Sequence, residues 1–143
     1  IPIAAGETWD LDRLITGYVQ ERLVDILQPE IEFVGLTGGR RLSHLCWLNR
    51  MRLAPHNWGT AVRTAAILHW MATVPPLTEA IAAPPALFEF GRTESPFRDT
   101  VVRQKIDIEA DGLIAVPDRP GLGIDVIPEA VEQYRAELIC VGE

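Results

Sequence analysis

Lysine is nearly missing from this chain: Lys105 is the only one among 143 residues. It lies in the tail, which argues against a lysine Schiff base, a chemistry that needs an amine held inside a site. Cysteine is scarce too. Cys46 and Cys140 are far apart and lack metal spacing, so no disulfide framework is expected and a cytoplasmic, reducing compartment is the default. Cys46 falls on an apolar helix face and is expected in the core. No apolar run approaches the ~18–20 residues that a membrane span needs, and no charged-then-apolar leader opens the sequence. The net charge is -7 with no basic block, which argues against a nucleic-acid partner. An anionic substrate stays compatible with that charge, because a bound divalent cation reverses the local field among carboxylates. Gly35, Gly38 and Gly39 have neither the spacing nor the lysine of a phosphate loop. No histidine pair stands at zinc spacing, and Ser43 and Ser95 lack a nucleophile elbow.

What is present is a rhythm. Glu7, Glu30, His56 and Glu89 each close a short apolar run, and a helical pattern follows each of the first three. Thr8 or Asp10 can cap a helix whose apolar residues Leu11, Leu14, Ile15, Tyr18, Val19 and Leu23 share one face. Val24–Gln28 is too short for a helix and reads as a buried parallel strand ended by Pro29. Gly35, Gly38 and Gly39 predict a flexible loop before a helix over Arg40–Asn49. Arg52–Ala54 reads as a short strand. Gly59-Thr60 starts an alanine-rich helix that runs to about Val74 and is covered on more than one side. Pro75-Pro76 stops it. Ala86–Phe90 reads as a further strand. Lys105–Val116 alternates around Asp111-Gly112, a hairpin signal, and Pro128–Leu138 reads as a last short helix. Strand, polar residue and helix in turn predict an α/β fold of the β/α-barrel kind, in which chemistry sits at the carboxyl ends of the strands.

His56 has two readings. A lone histidine after a strand is commonly structural. Against that, Pro55 fixes the backbone before it, and Asn57 and Trp58 can supply a polar and an aromatic wall. Glu7 follows Ala-Ala-Gly, small residues that allow close approach of a ligand; its plainer reading is a first-turn acid favoured by the helix dipole. Glu30 precedes a loop and can simply be solvated. Glu89 lies between Phe88 and Phe90, and a carboxylate among aromatics is costly to bury without a partner. His44 and His69 read as ordinary helix residues.

With these residues assembled, the chain resembles the C-terminal half of an enolase-superfamily enzyme of the mandelate racemase and muconate lactonizing type. Ile1-Pro2-Ile3-Ala4-Ala5-Gly6-Glu7 resembles the fifth barrel strand, Asp25-Ile26-Leu27-Gln28-Pro29-Glu30 the sixth, Ala54-Pro55-His56-Asn57 the seventh and Phe88-Glu89-Phe90 the eighth. Residues 117–126, Pro-Asp-Arg-Pro-Gly-Leu-Gly-Ile-Asp-Val, resemble the closing segment that packs near the capping domain. The resemblance implies strands five to eight of a modified TIM-type barrel over residues 1–103. It implies an extended tail with a short helix over 104–143, packed on a capping domain. It also implies Mg2+ held partly by Glu7, His56 as catalytic acid/base, Glu30 orienting His56, and Glu89 beside a substrate carboxylate.

Two departures stand out. The family usually has Asp where this chain has Glu30, and usually reads Gly-Gly-Ile-Thr-Glu where this chain has Gly35-Leu36-Thr37-Gly38. The implied chemistry is abstraction of a proton α to a carboxylate, with dehydration of an acid sugar as the leading outcome. Racemisation, epimerisation or lactone cycloisomerisation are alternatives, as is a non-catalytic binding relative. The implied partners are a small carboxylate substrate, an N-terminal half carrying the other strands and the capping domain, and further copies of the enzyme in a homo-oligomer. The chain is therefore expected not to be a complete enzyme.

Overall fold

The structure is a computed structural model that describes residues 1–9, 12–76 and 86–135, with the side chains of 12–14 left aside. The first elements alternate as the sequence predicts. β1 (Ala4–Ala5), β2 (Ile26–Leu27) and β3 (Arg52–Leu53) form a parallel sheet in the order β1-β2-β3. Ala4 stands opposite Ile26, and Ile26 opposite Arg52. The regular strands are shorter than expected. Their ladder nonetheless continues past the last paired residues, with Gln28 N donating to Ala5 O (2.9 Å), Ala54 N to Leu27 O (2.9 Å) and His56 N to Pro29 O (3.2 Å). Parallel pairing therefore brings Glu7, Glu30 and His56 to one edge.

Helices connect the strands, as parallel pairing requires. α1 (Asp12–Gln20) buries Ile15 and Val19. It stops short of Leu23 because Arg22 turns into the left-handed region (φ 52). The expected cap Asp10 lies outside the described residues. α2 (Ile31–Leu48) corrects the glycine-loop expectation. Only Gly35 breaks it, at φ 60 and ψ 179, a conformation open to glycine alone. Gly38 and Gly39 are helical. Gly39 is small for packing, not for flexibility: a Cβ there would meet the Trp70 ring at 2.6 Å. The buried Trp70 indole N–H is satisfied by Ser43 Oγ (2.8 Å), which itself donates to Gly39 O (3.0 Å).

α3 (Ala61–Met71) is capped by Thr60, whose hydroxyl accepts from Arg63 N (3.4 Å). Its buried residues include Ala61, Thr64, Ile67 and Trp70, so it is covered around most of its circumference. The main core joins α1–α3 with Leu27, Met51 and Leu53. Cys46 lies in it, and burial pushes its thiol pKa up to about 12.

The later part of the chain departs most from expectation. Residues 86–90 form no strand. The Glu89 carbonyl is taken by the Asn57 side-chain amide (3.0 Å), where a strand neighbour would offer a backbone N–H. The turn at Asp111-Gly112 is made, with Glu109 N donating to Leu113 O (2.8 Å), but no ladder flanks it. α4 (Pro96–Thr100) and α5 (Pro128–Glu132) are short, and residues 136–138 of the expected last helix lie outside the described residues. An isolated antiparallel bridge joins Val102 to Val126. Val101, Val102 and Ala61 form a second small core on which Ile124 packs. Among the described residues, no helix is long and apolar enough to cross a membrane.

Candidate active site at the strand ends

The imidazole of His56 sits among three carboxylates, two from just past β1 and β2 and one from the segment 86–90. Its Nδ1 lies 3.2 Å from Glu89 Oε2 and 3.5 Å from Glu7 Oε2. Its Nε2 lies 3.8 Å from Glu30 Oε1. The ring is mostly enclosed, at 15% side-chain exposure, while Glu7 stands 59% exposed and Glu89 37%. One edge of the ring thus faces an open, acid-lined mouth. The other faces the more enclosed Glu30.

Local structure explains these positions. Pro55 is fully buried, and His56 hangs from β2 through its backbone bond to Pro29. Gly6 lets β1 end against β2: with φ 135, a Cβ there would sit 3.2 Å from Gln28 N. The space that the sequence suggested for a ligand is filled by the Gln28 backbone. Glu89 is neither orphaned nor deeply buried. It meets His56 and accepts from Gln28 Nε2 (3.4 Å), while neighbouring Phe88 packs on the main core and Phe90 lies under the Arg98 guanidinium (6.0 Å).

Asn57 is buried. Its amide donates to Glu89 O, and its carbonyl accepts from Thr64 Oγ1 (3.3 Å). Trp58 is 82% exposed and, with Asn57, Thr64, Phe90 and Arg98, lines a cleft beside the site. His44 lies in α2 stacked on Trp47, and His69 lies in α3.

Two side chains that sequence reasoning missed also join the site. Gln28 is one. Arg63, on the first turn of α3, is the other. It forms an ion pair with Glu30 through Nη2, and the same nitrogen donates to His56 O (2.8 Å). Its Nη1 meets Glu32 Oε1 (2.9 Å). In the sequence Arg63 is one polar residue in an alanine-rich helix. Its spacing of three from the capping Thr60 was the available signal. Burial raises the Glu30 carboxyl pKa above its ordinary value; the charge and hydrogen bond of Arg63 pull it back, His56 pulls less, and burial prevails.

Glu7 offers a hard, exposed oxygen of the kind Mg2+ prefers. Among the described residues no group of three or more His, Cys, Asp or Glu could hold a metal. Glu7 therefore fits as one ligand of such an ion, not as part of a complete cage.

A parallel β/α layer with acids and a histidine at its carboxyl edge is the arrangement of a barrel-type site. Residues 1–130 match the model of the enolase C-terminal domain-like family, and the chain belongs to that family. It is similar to D-galactarolactone cycloisomerase of Agrobacterium fabrum, with 35% identity over 136 residues, 94% of this chain and 36% of that protein. It is also similar to arabinonate dehydratase of Saccharolobus solfataricus, with 25% identity over 96% of this chain and 34% of that protein. The structure is similar to that of 3,6-anhydro-D-galactonate cycloisomerase from Zobellia galactanivorans, with a TM-score of 0.78 and 34% identity over 94% of this chain and 36% of that one. The chain spans about a third of the length of these relatives. The fold is accordingly a TIM-barrel-like α/β fragment.

Proposed function

We propose that this chain carries one part of an enolase-superfamily active site that removes a proton α to the carboxylate of an acid sugar, and that dehydration follows. The observation that supports this most is the enclosure of His56 by Glu7, Glu30 and Glu89 at one sheet edge. On this reading β1, β2 and β3 are barrel strands five to seven, and 86–90 occupies the place of the eighth. Residues 1–103 are the half-barrel. Residues 104–143 are the tail that packs on the capping domain.

His56 is the acid/base group. Its ring edge toward Glu7 and Glu89 faces the mouth, so the substrate α-proton passes to the nitrogen on that edge. In dehydration the same imidazolium returns the proton to the departing β-hydroxyl, which leaves as water. Glu30, on the opposite edge, stabilises the imidazolium through its negative charge and orients the ring. Glu89 sits beside the substrate carboxylate. Glu7 is one ligand of Mg2+, which when bound supplies positive charge to stabilise the enediolate. The other metal ligands and a second acid/base group come from outside residues 1–143.

Lactone cycloisomerisation is the second reading. It is favoured by the 35% identity to a galactarolactone cycloisomerase and uses the same proton abstraction.

The test is a panel of aldonic and aldaric acids and their lactones, offered with Mg2+ to the complete enzyme in deuterated water. We expect exchange or loss of the α-proton by NMR, and loss of most turnover in His56→Asn with thermal stability close to wild type. Turnover of His56→Asn within about tenfold of wild type would exclude His56 as the base, since that is only ~1.4 kcal/mol.

A further inference from the structure

Arg63 reaches parts of the site that no other described side chain joins. Its Nη2 bridges the Glu30 carboxylate and the His56 carbonyl. Its Nη1 meets Glu32 at the start of α2 and lies 3.5 Å from Trp58 O. One planar group thereby ties the end of β2, the start of α2 and the loop that carries His56. The side chain is 12% exposed, and its Nε has no hydrogen-bond partner. A buried donor left unpaired costs stability, so the fork is placed for its two terminal nitrogens.

The same contact gives the glutamate at position 30 a physical reason. One Glu30 oxygen stands near His56 Nε2 and the other is held by Arg63. A shorter aspartate would span that gap less well. We infer that Arg63 is a positioning residue for the His56–Glu30 pair, holding the Glu30 carboxylate and the His56 backbone in one frame so that the imidazole keeps its place among the carboxylates. The inference rests on the proposed role of His56. Arginine suits this role because Nη2 meets both Glu30 and the His56 carbonyl while Nη1 anchors the same plane on Glu32. A lysine ammonium keeps the charge but lacks the fork.

The experiment uses the complete enzyme, labelled with 15N-histidine, as wild type, Arg63→Lys and Arg63→Met. The panel of sugar acids and lactones above is the activity probe. In Arg63→Lys we expect kcat to fall about tenfold or more, with KM within about threefold. We also expect the His56 ring nitrogen resonances to move in the substrate-free protein. Arg63→Met, where it folds, should show both effects more strongly. If it does not fold, Arg63→Lys alone decides. Turnover of Arg63→Lys within about twofold of wild type, or His56 resonances that stay in place, overturns the inference. A fall in kcat without movement of the resonances overturns it too, because the effect would not pass through His56. Failure of the functional reading is distinguishable: wild type then turns over nothing in the panel, or His56→Asn stays active, while the resonances still report whether Arg63 positions the ring.

Discussion

Glu30 carries two opposed influences, and their balance can be measured. Burial raises its pKa, Arg63 lowers it, and burial prevails. A carboxyl whose folded pKa is raised binds its proton more readily in the folded state. Its stabilising contribution is full below the ordinary carboxylate range and is lost as pH rises through the raised value. Urea melts of wild type and Glu30→Gln should therefore show wild type gaining on the variant at pH 4 relative to pH 7. The reverse trend would mean that the Arg63 ion pair outweighs burial. Site residues were unequally legible at this scale. Glu7, Glu30, His56 and Glu89 each end an apolar run, and the geometry brings all four together. Arg63 and Gln28 were not legible as site residues, because their roles depend on which strand ends become neighbours. Trp58 and Asn57 read as pocket walls in the sequence, and both line one cleft. Adjacency in sequence cannot say that one side chain turns inward to Thr64 and the other outward to water.

Helices α2 and α3 meet through a glycine, a serine and a tryptophan. Gly39 lies under the Trp70 ring, with no room for a methyl group. Gly39→Ala should destabilise the complete enzyme by about 1–3 kcal/mol, the usual cost of overpacking. Gly38→Ala, whose new methyl would meet only Val34 Cβ at 3.3 Å, should cost less. Thermal melts of the two variants would test the contrast, and equal shifts would remove the packing account of Gly39. These glycines show where pattern reading stopped. Three glycines within five residues signalled a loop, yet only Gly35 has a backbone that requires glycine. The others answer to a partner helix that local sequence does not show. The alternation of β1, α1, β2, α2, β3 and α3 was legible because apolar period and turn residues agree there. Residues 86–90 read as a strand from composition, but strand character depends on a neighbour's backbone, and here a side chain takes the Glu89 carbonyl.

A three-stranded parallel sheet is a small unit, and parallel sheets are normally covered on both faces. Ile3, Leu23, Leu87, Leu113 and Val126 are among the chain's exposed apolar residues. Residues 1–143 produced alone should therefore self-associate, seen as rising light scattering with concentration. A monomer that unfolds cooperatively would show that the rest of the barrel is not needed to cover these surfaces. The exposed indole of Trp58 has an optical consequence. In this chain it stands in water at the rim of the site, so its fluorescence should be red-shifted and readily quenched by acrylamide. Trp70, fully buried, should emit to the blue and resist quenching. A body that closes over Trp58 would displace water from its indole. The difference in emission between wild type and Trp58→Phe is then a built-in lamp for that closure, readable without knowing the substrate.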